Sequence, residues 1–435
     1  MHSATAVPRT VVSQRPRLLF LAHRLPFPPH NGAAIRTYNV LRLLAREFDI
    51  VGLCFDRHDE ATAYLGREAR LAALSPFGTF ETFAIPQQRS RRRFVWDHLR
   101  SIITRRAYTY FVHDESQFEQ RLRDLLSSER FDLVHVDSLD LVRFLPNLLT
   151  LPVICTHHNA ESELLRRRAD SESSVIRREY FCYQARLLAT EERHWIPRVR
   201  LNVAVSEDDA HILAAIAPGG RFTAIPNGVD SEHFRPQRGT QEGCVFVGGT
   251  TWYPNRDALT WFMKEILPIL RARGEASAVT WVGRATERER QLYDGQSGVH
   301  LTGYVDDIRP YVAAGACFIA PLRVGGGTRL KILDAWSMAK AVVSTSVGCE
   351  GLGAVDGVNI LIADEPEAFA DAISRVLNDS DLRVRLGTAG REMVERRFSW
   401  NVIGASMLDL YRSLLADTSK LPNDGHSIRA RSARG

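Results

Sequence analysis

One stretch of the sequence, residues 317–345, constrains the fold more than any other. The apolar run 317–320 leads into a loop with three consecutive glycines, an amphipathic segment follows, and the β-branched run 342–345 closes the stretch. This order predicts a strand, a glycine loop, a helix and a second strand, which is the repeating unit of an α/β fold with a parallel sheet. The N–H groups of such a loop and helix start can bind an anion such as a diphosphate, and Arg329 and Lys331 add positive charge. An ordinary tight turn with surface charges is the alternative interpretation.

The same strand–loop–helix pattern occurs at the start of the chain. Residues 17–22 form a nearly all-apolar run, a loop with three prolines and a glycine spans residues 23–32, and a helical pattern then leads to a second run at 49–54. Such runs are typical of strands that are buried on both faces of a parallel sheet. No G-x-G-x-x-G follows either run, which argues against a dinucleotide-binding domain.

The pattern restarts near residue 244, so the sequence predicts two α/β domains whose sheets face a cleft. Pro218, Gly219 and Gly220 break the chain between them. In chain order we predict a flexible N-terminus (1–15), a first, acceptor-side domain (16–215), a linker (216–243), a second, donor-binding domain (244–400), a C-terminal helix (401–417) and a disordered tail (418–435).

Three local elements are also predicted within the two domains. Residues 166–194 form a long, charged helical stretch, and Ser206 is a natural N-cap for the helix that follows it. Residues 299–303 are predicted to form an edge strand.

The composition restricts where such a protein can act. About 45% of the 435 residues are hydrophobic, which is enough for sizeable cores, and no run approaches the ~18 apolar residues that a membrane span needs. The first 15 residues contain no apolar segment typical of a signal peptide. The six cysteines are widely scattered without metal-ligand spacing, which indicates reduced core thiols. We therefore expect a cytoplasmic protein, soluble or peripheral at the inner face of the cell membrane.

The net charge of +5 comes from one segment, residues 88–106. Seven arginines against one aspartate give that segment a charge of +6, so the rest of the chain sums to −1. The arginines, among them Arg91, Arg92 and Arg93, alternate with apolar residues such as Trp96, which is typical of a basic amphipathic helix on an anionic membrane surface. A solvated helix whose aromatic residues pack into the domain is the alternative. Nucleic-acid binding is a third option that nothing else in the chain supports, so we predict no nucleic-acid partner.

Two adjacent histidines, His157 and His158, follow the apolar run 153–156. A histidine at the carboxyl end of a strand can act as an acid or base, or can hydrogen-bond a substrate hydroxyl. A structural histidine that caps the following helix is the alternative. No further histidine, cysteine or aspartate is grouped nearby in the sequence, so we predict no metal site.

Several short motifs, read together, resemble those of one enzyme family. They are HR at 23–24, HNAES at 158–162, VSE at 205–207, PNGVD at 226–230, FRP at 234–236, FVG at 246–248, GYVD at 303–306 and GGGTRLKILDA at 325–335. In this order they resemble the motifs of family-four glycosyltransferases, over about residues 17–415. The first half is similar to the sugar transferases associated with exopolysaccharide and exosortase loci.

The resemblance implies a GT-B fold, which is an α/β architecture of two Rossmann-like domains with parallel sheets around a cleft and a C-terminal helix that crosses back. It implies a metal-independent hexosyltransferase that acts with retention of anomeric configuration. The co-substrate would be a nucleoside-diphosphate sugar of the UDP or GDP type, with no bound cofactor. The acceptor would be a glycan or lipid-linked acceptor in cell-surface polysaccharide synthesis. A catalytically inactive GT-B binding protein and a nucleotide-sugar 2-epimerase are the alternatives.

The resemblance also implies roles for individual residues. The implied catalytic set is His158 near the donor sugar, with Arg329 and Lys331 neutralising the leaving diphosphate. Asp334 would bind the ribose hydroxyls. The remaining donor-binding residues are Gly32 at the diphosphate, Gly283, Arg284 and Val305 at the base, and Gly248, Gly249, Arg256, Gly326, Gly327 and Thr328 in the loops around them.

Three departures from the family pattern bear on these roles. Gly326 stands where the first glutamate of the E-x7-E motif is expected, so the usual acidic contact to the donor sugar is missing or comes from elsewhere. Asp334 replaces the usual second glutamate and is one methylene shorter. Arg256 is the nearest match to the arginine and lysine that many relatives carry after the first strand of the donor domain.

Overall fold

The computed structural model describes residues 15–29, 31–57, 65–170, 172–275, 278–325 and 328–418. Within these residues the chain forms two sheets of parallel strands, seven in the first sheet and six in the second. The predicted α/β fold with two Rossmann-like parallel-sheet domains is therefore confirmed. The predicted flexible N-terminus and disordered tail fall almost entirely on residues 1–14 and 419–435, which lie outside the described residues.

The first sheet carries the apolar runs of the N-terminal half. Its strands are β1 (Arg17–Ala22), β2 (Asp49–Asp56), β3 (Thr79–Ala84), β4 (Leu133–Val136), β5 (Val153–His157), β6 (Leu201–Ala204) and β7 (Phe222–Ala224). Their spatial order is β3-β2-β1-β4-β5-β6-β7. Alternate residues of β1 enter different apolar clusters, Leu18 and Phe20 on one face and Leu19 and Leu21 on the other. Burial on both faces explains why the run is continuously apolar.

The second sheet repeats this arrangement. Its strands are β8 (Cys244–Val247), β9 (Val279–Val282), β10 (Val299–Gly303), β11 (Cys317–Ala320), β12 (Ala341–Ser344) and β13 (Leu361–Ile362). Their order is β10-β9-β8-β11-β12-β13, so β10 is an edge strand as predicted. In both sheets the direction of the connections reverses at one point, between β1 and β4 and between β8 and β11. Open parallel sheets bind ligands at the carboxyl ends of strands beside such a point.

Helices connect the strands in both domains. Those of the first domain are α1 (Gly32–Leu44), α2 (Arg67–Leu74), α3 (Pro86–Arg89), α4 (Arg91–Thr104), α5 (Thr109–Val112), α6 (Ser116–Ser128), α7 (Glu161–Asp170), α8 (Val175–Trp195) and α9 (Glu207–Ile216). Those of the second are α10 (Tyr253–Trp261), α11 (Leu267–Ala272), α12 (Glu287–Tyr293), α13 (Arg309–Ala314), α14 (Leu330–Ser337), α15 (Pro366–Asn378) and α16 (Ser380–Met393), and α17 (Trp400–Thr418) follows them. Ser206 caps α9 as predicted, because its hydroxyl accepts the N–H of Asp209.

The long helical stretch predicted for residues 166–194 is instead two helices, α7 and α8. Ser173 and Ser174 stand before α8, and Ser174 takes its N-cap position. Serine hydroxyls compete for backbone hydrogen bonds in non-helical conformations, so a serine pair favours a break. The two helices project residues toward different neighbours as a result.

The C-terminal helix α17 crosses back onto the first domain, as the predicted fold requires. Tyr411 hydrogen-bonds His135 of β4, and both side chains are fully buried. Gly404 packs closely on α1, since an added Cβ would come within 2.6 Å of the Leu43 side chain. The chain thus returns to its first domain after completing the second.

Strand β7, within the segment predicted as the linker, pairs with β6 of the first sheet. The first sheet therefore extends into that segment.

Candidate active site between the two domains

Lys331, in the first turn of α14, holds its amine inside the second domain. Its Nζ donates a hydrogen bond to Asn255 Oδ1 at 2.7 Å and lies 4.0 Å from the centre of the Phe246 ring. Burial, helped by the nearby charge of Arg329, lowers the pKa of Lys331 to about 7. The amine is therefore poised to gain a proton when an anion approaches.

Asp334 lies one helical turn after Lys331. Burial raises the pKa of its carboxyl group to about 7. Among the described residues, no donor or cation is hydrogen-bonded or ion-paired to it. Residues three apart share a helix face, so α14 carries both residues on one face, although the amine and the carboxylate are not paired with each other.

Two glycines let the loops of the second domain approach each other closely. Gly248 follows β8 with φ of +154°, and a Cβ there would lie 2.7 Å from Lys331 Nζ. Gly283 follows β9 with φ of +137°, and a Cβ there would lie 2.7 Å from the backbone nitrogen of Gly249. A side chain at either position would displace the amine or the neighbouring loop. Gly248 is thus required by the packing on Lys331, and Gly283 by the close approach of the backbone at residues 248–249.

Arg329 and Thr328 connect the glycine loop to its surroundings. Arg329 is only 7% exposed, donates to the carbonyl oxygen of Val347 at 2.9 Å, and has its pKa lowered by burial. Thr328 donates its hydroxyl hydrogen to the carbonyl oxygen of Val205 in the first domain, at 3.2 Å. Gly326 and Gly327, between these residues and Gly325, lie outside the described residues.

The residues predicted to border the base lie at the carboxyl ends of β9 and β10. The Arg284 guanidinium lies 5.1 Å from the centre of the Tyr304 ring. Val305, the next residue, packs against the core of the domain. An aromatic ring and a guanidinium of this kind can stack on a nucleobase.

Arg256, the predicted match to the missing arginine and lysine, has partners within its own domain. Its Nε lies 3.3 Å from a carboxylate oxygen of Glu289. The same nitrogen donates to the carbonyl oxygen of Thr250 at 3.1 Å. Lys331 thus lies against Gly248 and Arg329 against Gly325, whereas Arg256 stabilises the loop after β8.

A buried carboxylate organises the carboxyl ends of the first sheet. Asp137 follows β4, and its Oδ2 lies 3.4 Å from His158 Nε2 and 3.7 Å from His23 Nδ1. Thr37 of α1 donates its hydroxyl hydrogen to the same oxygen at 2.6 Å. Burial by itself would raise the pKa of Asp137, but the histidines around it, including His135, hold that pKa well below its usual range. The carboxylate stays ionised and holds the His158 ring in place.

His23, Asp137 and His158 form a cluster that was not predicted. One possible ligand atom from each lies within 4.8 Å of the others. The expectation that no histidine or aspartate is grouped near His158 is therefore wrong, because residues distant in the sequence meet at the ends of adjacent parallel strands. His157 is structural: it is buried, it hydrogen-bonds Asn202 of β6 at 2.9 Å, and burial lowers its pKa to about 4.

The first turns of α1 and α14 approach each other from the two domains. A Cβ on Gly32 would lie 3.7 Å from Leu330 Cδ1. Helix N-termini carry unpaired N–H groups and the positive end of the helix dipole. The space beside these two turns is therefore suited to a phosphate-bearing ligand.

The predicted membrane patch forms the outer face of α4. Trp96 is 52% exposed, and the apolar side chains exposed with it on this helix are Phe94, Val95, Leu99, Ile102 and Ile103. Arg91 and Arg92 are exposed at the start of the helix. Arg93 turns toward the domain instead, where its Nε lies 2.9 Å from an oxygen of the buried Asp97. The patch therefore keeps its apolar residues and two of its three predicted arginines.

Two further residues of the cleft were not predicted from the sequence, Glu350 and Arg167. They meet from opposite domains, with Arg167 Nη1 3.1 Å from Glu350 Oε2. No motif or spacing marks either residue. Asp137, by contrast, directly follows a buried strand, and the tendency of ligands to lie at carboxyl ends of strands could have found it.

Comparison with known proteins matches the two halves of the chain separately. Residues 30–233 match the model of Glycosyltransferase Family 4, and residues 241–379 match that of group 1 glycosyl transferases. An uncharacterized 44.6 kDa protein in the cps region of Klebsiella pneumoniae is 24% identical over 276 residues, which cover 60% of this chain and 70% of that protein. A GDP-mannose-dependent alpha-(1-6)-phosphatidylinositol monomannoside mannosyltransferase of Mycobacterium tuberculosis is 26% identical over 230 residues, 47% of this chain and 59% of that protein.

Solved structures share the fold over nearly the whole chain. Sucrose-phosphate synthase from Thermosynechococcus elongatus has a TM-score of 0.67 at 16% identity, covering 93% of this chain and 100% of its own. Anabaena HepE in complex with UDP and glucose has a TM-score of 0.62 at 15% identity, covering 92% and 100%. At such identities the likeness shows the fold alone. With the two family models matching the two domains in order, the chain belongs to the family-4 glycosyltransferases of GT-B fold.

Proposed function

We propose that this glycosyltransferase moves a hexose-type sugar from a UDP or GDP sugar to a glycan or lipid-linked acceptor in the synthesis of cell-surface polysaccharide. One observation carries the proposal. On a single face of α14, Lys331 and Asp334 are both buried enough to disfavour their charged forms, and neither has an ionic partner among the described residues. Groups shifted in this way inside a cleft are candidates for ligand contacts.

A nucleoside-diphosphate sugar would satisfy both groups at once. Its diphosphate offers negative charge to Lys331 and to the N-terminal turns of α1 and α14. Its ribose offers two neighbouring hydroxyls, which can both donate to the carboxylate of Asp334. The names of the relatives support either base, since one is a GDP-mannose-dependent enzyme and HepE was solved with UDP.

The proposed reaction breaks the bond between the anomeric carbon and the diphosphate. Negative charge then grows on the leaving diphosphate, and Lys331 and Arg329 lie where they can stabilise it. The oxygen of the acceptor hydroxyl forms the new bond to the anomeric carbon, with retention of configuration, and the hydroxyl proton passes to the leaving diphosphate. His158, held by Asp137, would hydrogen-bond the donor sugar from the first domain.

In this proposal the cations of the protein take the place of a metal ion. Activity that persists in excess EDTA would support that statement, and activity restored only by a divalent cation would contradict it. The anomeric configuration of the product, read from its proton NMR spectrum, tests retention separately.

The acceptor side of the proposal rests on the outer face of α4. Apolar side chains with Arg91 and Arg92 suit an anionic membrane surface, where a lipid-linked acceptor would be found. Among the described helices, none combines the length and the apolar character needed to cross a bilayer. We propose that the protein binds the inner face of the cell membrane peripherally, through this patch.

A thermal-shift screen with UDP, GDP and their common sugar derivatives tests the donor. We expect one base to raise the melting temperature, and Asp334→Ala to abolish the rise without loss of the folded state. No shift with any of these nucleotides would contradict the proposal.

Two measurements separate the alternatives once a donor is known. An inactive binding protein would not release free sugar, whereas slow hydrolysis that disappears in His158→Ala indicates catalysis. A 2-epimerase would change the sugar of the donor itself. Recovery of the donor sugar unchanged, together with its transfer to an acceptor, excludes that class.

A further inference from the structure

One carboxylate of the cleft, Glu350, has no part in the roles described so far. It lies in the turn after β12, and its side chain is 34% exposed. Arg167, on α7 of the first domain, donates to Oε2 at 3.1 Å and to Oε1 at 3.5 Å. Arg329 of the second domain lies 3.6 Å from Oε2, which is beyond hydrogen-bond distance. Arginines from both domains therefore hold this carboxylate between them.

These contacts leave much of the accepting capacity of Glu350 unused. An ionised carboxylate has about four lone-pair positions. Arg167 occupies one on each oxygen, and no other donor among the described residues reaches the group. The open positions and the exposed part of the side chain are accessible to hydroxyl groups of a ligand.

Glu350 borders a cavity between the domains. The cavity is walled by α7 and α9 on one side and by Gly325 and Glu350 on the other. Its free space is about 20 Å³, which is room for one water molecule or one hydroxyl group. Arg167 spans the two walls, since its Nη1 also donates to the carbonyl oxygen of Gly325 at 3.1 Å. The cavity therefore suits a small polar group that is reached from both domains.

The order of charges along the second domain leads a ligand toward this cavity. Arg329 is close enough to Lys331 for its charge to lower the pKa of that amine. On its other side, Arg329 lies beside Glu350. A diphosphate held by the two cations would end next to the carboxylate. In a nucleoside-diphosphate sugar, the group beyond the second phosphate is the sugar.

We infer that Glu350 accepts hydrogen bonds from hydroxyl groups of the donor sugar. This inference rests on the proposed function, and it assigns the acidic sugar contact that Gly326 cannot make. Glu350 supplies that contact from the turn after β12. Arg167 and Arg329 act as positioning residues, because they hold the carboxylate without taking up all of its lone pairs.

Isothermal titration of the full chain with UDP, UDP-glucose, GDP and GDP-mannose tests the inference. For the base that binds, Glu350→Gln should weaken the nucleotide sugar about 10- to 100-fold, the weight of a hydrogen bond to a charged group. The affinity for the bare nucleotide should stay nearly unchanged, which also shows that the variant is folded. The affinity of Glu350→Asp for the nucleotide sugar should lie between that of the wild type and that of Glu350→Gln.

Two controls separate a sugar contact from a tie between the domains. Glu367→Gln changes a surface glutamate that pairs with Arg273, and it should bind all four ligands like the wild type. If Glu350 only ties the domains, Arg167→Met and Glu350→Gln will both weaken the bare nucleotide and the nucleotide sugar equally, and the inference is overturned. If the wild type binds none of the four, the proposed function fails together with it. A loss confined to sugar-bearing ligands supports the inference.

Discussion

The cleft has two walls, the first formed by the N-terminal domain and the second by the donor-binding domain. The two walls hold their charged groups in opposite ways. In the first domain, Asp137 is surrounded by Thr37, His135 and His158, and its pKa lies well below the usual range. In the second, Lys331 has one neutral partner and Asp334 has no ionic or hydrogen-bond partner among the described residues. Burial lowers the pKa of Lys331 and raises that of Asp334, so the charged form of each group is disfavoured.

The charged group of the first wall has its partners within the protein, whereas the charged groups of the second wall have open positions for a ligand. A buried charge with its partners in place stabilises an arrangement, and here that arrangement fixes His158. A partly buried charge without an ionic partner lowers stability, which makes Lys331 and Asp334 candidates for ligand contacts. We therefore expect the second wall to bind the donor and the first to orient the reacting groups.

The largest expected effect is on the second wall. Lys331→Met removes the amine that faces the diphosphate, and transfer should slow by about 100- to 1,000-fold, the usual loss for one preorganised group that stabilises developing charge. Initial rates with a matched donor and acceptor measure this. Lys264→Met, at an exposed lysine of the same domain, is the control and should keep full activity. A fully active Lys331→Met variant would contradict the role assigned to this wall.

A substitution in the first wall should lower kcat and leave nucleotide binding unchanged. Asp137→Asn loosens the ring of His158, and kcat should fall by up to about 100-fold, because small misplacements of a reacting group are costly. The affinity for UDP or GDP should remain within error of the wild type. Melting temperature must be followed in parallel, since Asp137 is buried. If Asp137→Asn and Lys331→Met weaken nucleotide binding alike, the distinction between the walls is lost.

The free energy of unfolding, measured over a series of pH values, tests the second wall without a ligand. The folded-state pKa of Asp334 is raised to about 7, above the ~3.9 of an unfolded chain. The carboxyl group therefore lowers stability progressively as pH rises from about 4 to 7, and the full loss is present above pH 7. Asp334→Asn should be more stable than wild type by roughly 4 kcal/mol at pH 8, the free energy of a shift of about three pKa units, and the difference should close toward pH 4. Urea unfolding measures the free energy of unfolding of the wild type and of the variant at each pH. A difference between them that does not change with pH would contradict the raised pKa of Asp334.

The smallest expected effect lies outside both walls. Replacing Arg91 and Arg92 together by alanine should weaken binding to phosphatidylglycerol vesicles about 10- to 30-fold, since each surface arginine contributes about 1 kcal/mol at an anionic membrane. Vesicle co-sedimentation measures this. Arg385→Ala, at an exposed arginine of α16, should leave vesicle binding unchanged. Nucleotide binding should stay unchanged in every one of these variants. Undiminished vesicle binding by the double variant would remove the patch from the proposal.

Local patterns in the sequence predict the elements of the cleft well. The apolar run at 17–22 is β1, the edge position of 299–303 is confirmed, and Ser206 caps α9 as expected. These features depend on residues that are neighbours in the chain, such as alternating burial or a side chain three positions from the N–H that it accepts. The break between α7 and α8 was missed because charged residues suit a helix on both sides of it.

The sequence by itself determined that parallel sheets would form and that Lys331 and Asp334 would share one helix face, because both depend on local periodicity. Tertiary structure decided which distant residues meet. It brings His23, Asp137 and His158 together from three strand ends, and it joins Arg167 to Glu350 across 183 positions of sequence. It also decided the pKa of Lys331 and of Asp334, because burial depends on the packing of the whole domain and on no single stretch of chain.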